Sequence, residues 1–259
     1  MKAEFSEFSY GFALSYEIMN ALRPDIVGAP LFPSLRGEGE AGIDVSFEPA
    51  GLPLFLQFKL ADYMTRPHAK YWSDYGKRFF RVAIRRRKYS NQHNLLQALS
   101  AREPEVYYAA PAFYLQSEFN QVFTSDRILT DSKFFPLSEL PDVVDDEPHY
   151  ITYCRGVPGF HWHSEDGKYF EAVVSGEAWL GRLKRQALEP RQLGEEFFVG
   201  LRTDLAKLIK EHTLQPRLFH DELPIDSDDV TPLTVIRDLR YLLVTYFGVE
   251  TIILRPKSQ

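Results

Sequence analysis

The chain has 259 residues, 44% of them hydrophobic and 25% charged, which is typical of a soluble globular protein with a substantial core. It carries a net charge of −6 and one cysteine, Cys154, which excludes an internal disulfide and favours a reducing cytoplasm. No apolar run approaches the roughly 20 residues of a membrane-spanning helix. The acidic N-terminal segment argues against a secretion signal. We therefore expect a cytoplasmic protein with no membrane partner.

The N-terminal part alternates between helical and strand patterns. Apolar residues at helical spacing predict a helix over residues 8–22. Within residues 42–59, two alternating apolar segments flank a turn and predict adjacent strands. RFFRVAIRR predicts a third strand, Ser90 or Asn91 begins a second helix, and EVYYAAPAFYL predicts a further strand. This order predicts an α/β fold in which helices flank a mixed β-sheet.

The pattern loosens in the second half of the chain. Short strands such as HYITYC precede three amphipathic helical segments and a closing strand, VETIILRP. The prediction is a core domain over residues 1–120, with residues 121–259 as a mostly helical elaboration packed on it.

Three polar residues interrupt the two apolar strands of residues 42–59. Asp44 lies in the first segment, and Gln57 and Lys59 lie in the second. Residues two apart on a strand point to the same face, where Asp44 would project from the neighbouring strand. Burying a charge without a partner is expensive, so we expect these groups to converge at one end of the sheet.

The motifs resemble those of one nuclease superfamily. A helix carrying Glu17, then GID with Asp44, then LQFK with Gln57 and Lys59, then a helix and a strand, is similar to the PD-(D/E)XK nucleases. The similarity is to the variant in which Gln replaces the second acidic residue of the motif, as in Mrr-like restriction endonucleases. It covers about the first 115 residues. It implies a restriction-endonuclease-like fold and the activity of a metal-dependent DNA endonuclease that acts as a bacterial antiviral defence or restriction effector.

The resemblance also implies a role for each site residue. Asp44 would be the principal ligand of Mg²⁺ or Mn²⁺, with Gln57 and the main-chain carbonyl of Phe58 as neutral oxygen donors. Lys59 would orient the attacking water and offset the charge that develops on the phosphate. Glu17 would complete the site from the adjacent helix.

Gln57 departs from the commoner pattern because it removes one negative charge from the metal site. Glu17, Glu38 or Glu40 could supply the missing carboxylate. The alternative is a catalytically inactive nuclease fold that serves as a nucleic-acid-binding or assembly module. Retention of Lys59 argues against that alternative, since binding alone does not require a lysine at this point of the strand.

Positive charge is concentrated in one part of this acidic chain. Residues 57–102 hold eleven lysines and arginines against two acids. Such a block is either a solvated face or a binding surface for phosphates, and its position after the motif favours the latter. DNA is the expected partner, ahead of RNA. The candidate nucleic-acid-binding residues are Arg85, Arg86, Arg87, Lys88, Gln92 and His93.

Other features carry less weight. Gln92 and His93 are equally well explained as a capping and solubilising pair. His161 and His163, with His149 upstream, suit a structural role better than a zinc site. The sequence contains no ATPase motif and no recognisable specificity module, so a regulatory protein partner or a homo-oligomer is expected to control activity.

Overall fold

The computed structural model describes residues 1–23, 50–103, 105–164, 168–171, 174–187, 191–192, 194–212 and 231–254. Over these residues the chain has the predicted mixed α/β architecture, with two sheets and six α-helices. Asp44 and the strand predicted around it, together with Glu38 and Glu40, lie outside the described residues.

The helices include those predicted at the start of the chain. The N-cap of the first helix is Ser6, whose hydroxyl accepts a hydrogen bond from the Ser9 amide at 2.9 Å. The last helix continues as one π turn, Leu243–Phe247, and ends at Gly248, whose φ of 60° suits glycine. The six helices are α1 Glu7–Leu22, α2 Gln92–Ser100, α3 Gln116–Thr124, α4 Gly176–Ala187, α5 Glu195–His212 and α6 Pro232–Leu242.

The strands form two sheets. The mixed sheet contains β1 Ala50–Phe58, β4 Val106–Pro111, β5 Ser132–Pro136, β9 Val174–Ser175, β10 Arg191–Gln192 and β11 Glu250–Leu254. The antiparallel sheet contains β2 Asp62–Met64, β3 Phe79–Ile84, β6 His149–Tyr153, β7 Phe160–His163 and β8 Lys168–Phe170.

The strand carrying Gln57 lies inside the mixed sheet. The order is β10-β1-β4-β5-β9, with β11 also beside β1. β1 pairs in parallel with β4 and antiparallel with β10 and β11. A parallel pair needs a crossover connection, and α2 lies in the one between β1 and β4. The antiparallel sheet has the order β2-β3-β6-β7-β8.

Both sheets take strands from both sides of residue 120. The mixed sheet combines β1 and β4 with β5, β9, β10 and β11, and the antiparallel sheet combines β2 and β3 with β6, β7 and β8. The second half of the chain therefore does more than cover the first with helices, because it completes each sheet.

Hydrophobic side chains form two cores, one on each face of the mixed sheet. The first core joins both sheets with α2, α5 and α6, and includes Phe55 and Trp162. The second core lies under α1, α3 and α4, and includes Leu54, Leu56 and Phe58. Each large side chain buried in this way contributes roughly 1.5–3 kcal/mol. Because successive residues of β1 enter opposite cores, the side chain of Gln57 shares the face of Phe55.

Candidate functional site

Gln57 is held in place by the backbone that follows α6. Its side chain is only 3% exposed. Its Nε2 donates to the carbonyl oxygens of Phe247 at 3.2 Å and Gly248 at 3.3 Å. These two acceptors define which end of the amide is nitrogen. The Oε1 atom is buried and has no hydrogen-bond partner among the described residues. An acceptor oxygen is therefore presented at this point without a protein donor.

Lys59 follows β1 directly, and its backbone amide donates to the carbonyl of Ala109 at 2.9 Å. Its partly buried ammonium lies 5.4 Å from the centroid of the Tyr108 ring. Burial lowers the pKa of Lys59; Glu7 raises it in part, and Arg85 lowers it further. No hydrogen bond from a described residue contributes to this shift. The ammonium is thus a desolvated cation held beside an aromatic ring, with a carboxylate in the vicinity.

The carboxylate that α1 brings to Lys59 is Glu7. Gly11 allows this approach, since a Cβ at Gly11 would lie 2.5 Å from the Phe58 ring. Glu7 is one turn before Gly11, at the start of the helix. The residue as a whole is exposed, but the protein around its carboxyl removes enough water to raise the pKa of Glu7. The charge of Lys59 lowers this pKa in part. The sequence interpretation missed Glu7, although a first-turn acid on a helix predicted to pack beside the motif was the available signal.

Glu17 does not occupy the predicted place. It lies ten residues after Glu7 on α1, about 15 Å along the axis at 1.5 Å per residue. Its Oε2 accepts a hydrogen bond from the Leu129 amide at 3.0 Å. Burial raises the pKa of Glu17, and that hydrogen bond lowers it in part. Gly11 approaches Phe58 at the end of β1, and the charge of Glu7, one turn before Gly11, acts on Lys59. The prediction that Glu17 faces Lys59 is therefore corrected to Glu7.

Gln92 lies with Gln57 around Gly248. A Cβ at Gly248 would clash with the Gln92 amide and would lie 3.0 Å from Nε2 of Gln57. Both amides therefore lie close to this glycine, and a larger residue here would require the Gln92 side chain to move. The structure brings together Gln57 and Gln92, which the sequence placed in one site, and adds Gly248, which no sequence motif indicated.

His93 is close to the site but is engaged in the core. It is 3% exposed, with Nε2 at 2.9 Å from the carbonyl of Pro141 and Nδ1 at 3.0 Å from the hydroxyl of Tyr108. A carbonyl only accepts, so Nε2–H donates and Nδ1 accepts from Tyr108. Burial lowers the pKa of His93 to about 4. The predicted phosphate contact is therefore corrected: His93 is a neutral side chain with both nitrogens bonded.

The basic run divides into two parts. Arg85 is exposed, and its charge acts on Lys59. Arg87 instead donates from Nη1 to the carbonyl of Val144 at 2.9 Å, and the Lys88 amide donates to Asp146 at 2.6 Å. These contacts tie the run to a loop that also contains further acids. The guanidinium of Arg87 is therefore already engaged by the protein itself, whereas the contact of Lys88 is made by its backbone.

The histidines of the antiparallel sheet have structural partners. His149 bonds through Nε2 to Asp145 at 2.9 Å, and His163 contacts the Thr152 hydroxyl at 2.8 Å. Nowhere in the described ranges do three or more His, Cys, Asp or Glu side chains gather as a metal-binding group. Cys154 is buried, and burial raises the pKa of its thiol.

The resulting site lies at the C-terminal end of β1 and comprises Glu7, Gln57, Lys59, Gln92 and Gly248. The ring of Phe58 faces α1, and the main-chain carbonyl of Phe58 lies at the same end of the strand.

No family model, curated protein or solved structure matches this chain. Across the ranges the structure describes, no helix is long and apolar enough to cross a membrane.

Proposed function

We propose that this protein is a metal-dependent nuclease that hydrolyses phosphodiester bonds of DNA at the C-terminal end of β1. One observation carries the proposal. The amide oxygen of Gln57 is buried without a hydrogen-bond partner among the described residues. The ammonium of Lys59, two residues further on, is partly buried beside the Tyr108 ring, and desolvation lowers its pKa.

Unpaired polar groups of this kind are costly. A buried donor or acceptor left unsatisfied costs about 1–3 kcal/mol, and more when charged. An oxygen acceptor is satisfied by a cation or a donor, and an ammonium by an anionic oxygen. A divalent cation together with a phosphate supplies both partners at once, which is the reason for preferring a phosphodiester substrate.

The available donors fit Mg²⁺ or Mn²⁺. Both ions favour oxygen ligands, and magnesium is commonly bound by one or two carboxylates with other oxygens. Gln57 Oε1 is such an oxygen, and Asp44 is the carboxylate that the sequence places beside it. The cation would polarise the scissile phosphate when bound. Lys59 would contribute a positioned positive charge that offsets the charge developing on the phosphate.

Gln57 and Glu7 have supporting tasks. The two carbonyls that accept from Gln57 Nε2 keep its oxygen from rotating away. Glu7 raises the pKa of Lys59 and so favours the protonated ammonium that the reaction needs. Exposed Arg85 offers a first contact to the phosphate backbone, which supplies salt-dependent affinity without sequence preference.

The biological setting follows only from the resemblance. On that basis we propose a bacterial antiviral defence or restriction effector in the cytoplasm, controlled by a regulatory partner or by self-association. A noncatalytic nucleic-acid-binding module is the second candidate. It is favoured by Gln57 in place of an acid, and by the small number of carboxylates that the described residues bring to the site.

A plasmid-cleavage assay with Mg²⁺ or Mn²⁺ tests the proposal. We expect the wild-type chain to cleave the plasmid and Asp44→Ala not to cleave it, because the principal cation ligand is lost. Asp204→Asn is the matched control, since Asp204 is a half-exposed acid on α5 that forms a salt bridge with Arg102. Loss of cleavage in both variants would assign the effect to folding instead of to the site.

A second variant examines the departure at Gln57. Gln57→Glu adds a carboxylate, so cation binding should tighten and activity should survive or rise at low magnesium. The binding-module alternative expects no cleavage by the wild type with either cation, alone or with a native partner, and the same behaviour from both variants.

A further inference from the structure

The antiparallel sheet has one face turned away from the first core. Along β3, Phe80, Val82 and Ile84 enter that core. Arg81 and Ala83 alternate with them and therefore point outward, and Ala83 is exposed. An antiparallel sheet with one solvated face usually presents polar residues there. This face presents aromatic rings and cations instead.

Tyr150 and Tyr71 supply the rings. Tyr150 on β6 is the cross-strand partner of Ala83, so a small exposed side chain leaves the neighbouring ring accessible. Tyr71, from the connection between β2 and β3, stacks on His163 with ring centroids 3.6 Å apart. Its centroid lies 6.0 Å from that of Tyr150. Both rings remain half-buried and are held by neighbouring rings.

Two cations lie over these rings, and a third follows along the chain. The Arg81 guanidinium lies 4.8 Å from the Tyr150 centroid, and Lys70 Nζ lies 4.9 Å from the Tyr71 centroid. Arg85 continues the outward positions of β3. Two acids reduce the charge: Asp62 pairs with Arg81 at 3.2 Å, and Asp74 lies 3.6 Å from His163. The outer face is defined here as Lys70, Tyr71, Arg81, Ala83, Arg85 and Tyr150.

We propose that the outer face binds single-stranded nucleic acid, so that the substrate of the proposed nuclease is a single strand. Only the second part of this inference, that the substrate is a single strand, rests on the proposed function. Unpaired bases stack on aromatic side chains whatever their sequence, while cations follow the phosphates. The bases of a duplex are already stacked and cannot use the tyrosines. Arg81 and Arg85, four residues apart, span about 13 Å of strand.

The direction of the outer face connects it to the candidate site. Arg81, Ala83 and Arg85 follow one another along β3, and Arg85 acts electrostatically on Lys59. A strand lying along β3 would therefore deliver its phosphates towards Lys59. The arrangement commits the surface to a polyanion with exposed bases, because neither the tyrosines nor the cations alone account for the combination.

Fluorescence anisotropy in EDTA, where a metal-dependent reaction is prevented, tests the inference. The probes are labelled 12-nucleotide oligo(dT), oligo(rU) and a 12-base-pair DNA duplex. We expect the wild type to bind a single strand more tightly than the duplex. Tyr150→Leu should weaken single-strand binding at least about fivefold, since stacking of a base contributes about 1–3 kcal/mol. Tyr241→Leu, at an exposed tyrosine of α6, should leave it unchanged.

A second substitution protects the test from a folding defect. Ala83→Glu places a negative charge on the exposed surface and should weaken binding of the same strand at least about fivefold. Ala178→Glu adds the same charge at an exposed position of α4 and should not. Preference for oligo(dT) identifies DNA as the ligand and preference for oligo(rU) identifies RNA, and either supports the inference.

The outcomes separate this inference from the nuclease proposal. Equal binding of duplex and single strand, or unchanged binding by both Tyr150→Leu and Ala83→Glu, overturns the inference even if the wild type cleaves DNA. Single-strand binding that both substitutions weaken, without cleavage by the wild type under any metal, supports the outer face and rejects the nuclease.

Discussion

Two polar clusters of this protein differ in whether their polar side chains are paired within the protein. Between α5 and α6, Arg202 and Asp238 are almost fully buried and pair at 2.8 Å, and Arg237 approaches the second oxygen of Asp238 at 3.3 Å. At the end of β1, Gln57 Oε1 and the Lys59 ammonium lack such partners among the described residues. The first cluster pairs its opposite charges within the protein, whereas we propose that a ligand completes the second.

This difference predicts opposite responses to substitution. Removing one member of a buried pair leaves the other charge uncompensated, so stability falls strongly. Removing a buried group that has no partner relieves a cost, so stability is kept while function is lost. The four predictions below run from the largest expected change in the free energy of unfolding to the smallest.

Asp238→Asn should be the most damaging change. It preserves side-chain volume but removes the negative charge that faces the buried Arg202 guanidinium at 2.8 Å, and we expect a loss of about 3–5 kcal/mol in urea unfolding. Asp204→Asn, on α5, removes the half-exposed partner of Arg102 and should cost less than about 1 kcal/mol. Similar losses in the free energy of unfolding for both variants would contradict the claim that the buried pair stabilises the fold.

Gly248→Ala should destabilise the protein by about 2–4 kcal/mol, because it adds a clash with Gln92 and Gln57 to the cost of a left-handed residue. Gly76→Ala isolates the second cost, about 1–2 kcal/mol, since Gly76 has a φ of 62° and open space around it. Only the Gly248 variant should also slow DNA cleavage. Equal stability losses would remove the argument that two amides converge there.

Acid should destabilise the protein through His93. Its folded-state pKa of about 4 lies below the ordinary value of 6.5, so the unfolded chain binds the proton first. This contribution to stability is constant above pH 6.5 and falls between pH 6.5 and 4, by about 3 kcal/mol in all. Urea unfolding at pH 7 and 4.5 should show a smaller decline for His93→Gln.

His68→Gln is the control for this pH experiment, because His68 is exposed on the connection between β2 and β3. The control should keep the wild-type decline. His163, whose pKa burial also lowers to about 4, retains its own contribution in both variants. A decline in His93→Gln as steep as in the wild type would contradict the bonded, neutral imidazole.

Lys59→Met should have the smallest effect on stability and the opposite sign. Replacing a desolvated ammonium by an apolar side chain of similar length should leave the free energy of unfolding unchanged, or raise it by about 0.5–2 kcal/mol. Lys207→Met, at an exposed lysine of α5 paired with Glu211, is the neutral reference. Marked destabilisation by Lys59→Met would show that Lys59 is a structural residue.

Local patterns in the sequence predicted much of the framework. Helical spacing located α1 and α2, and alternation located β3, because those periods follow from backbone geometry. The same parity placed Gln57 and Lys59 on one face. β4 and β5 are both buried at every residue and so lack an alternating pattern. The longer run of apolar and aromatic residues located β4, whereas the five residues of β5, which include Ser132 and Lys133, were missed.

The arrangement of the candidate site was less accessible to sequence reasoning because it depends on distant partners. Glu7 replaces Glu17 since the contact of Gly11 with Phe58 decides which end of α1 reaches Lys59. His93 is occupied by Pro141, 48 residues further along the chain. No local periodicity encodes such contacts.

Arg87 illustrates the same limit for charge. Its position in a basic run indicated a phosphate contact, whereas its guanidinium donates to the carbonyl of Val144, 57 residues away. A charge run shows where cations are concentrated, but only tertiary structure shows which of them the protein already uses.

Single-turnover cleavage of labelled DNA by wild type and Lys59→Met, with excess protein and Mg²⁺, tests the central claim most directly. The stability of each protein and its DNA binding in EDTA are measured first. The account predicts cleavage by the wild type and a rate about 10²- to 10³-fold lower for Lys59→Met, because one positioned charge-stabilising group is lost. Equal cleavage rates for the two proteins, or no cleavage by either, would contradict it.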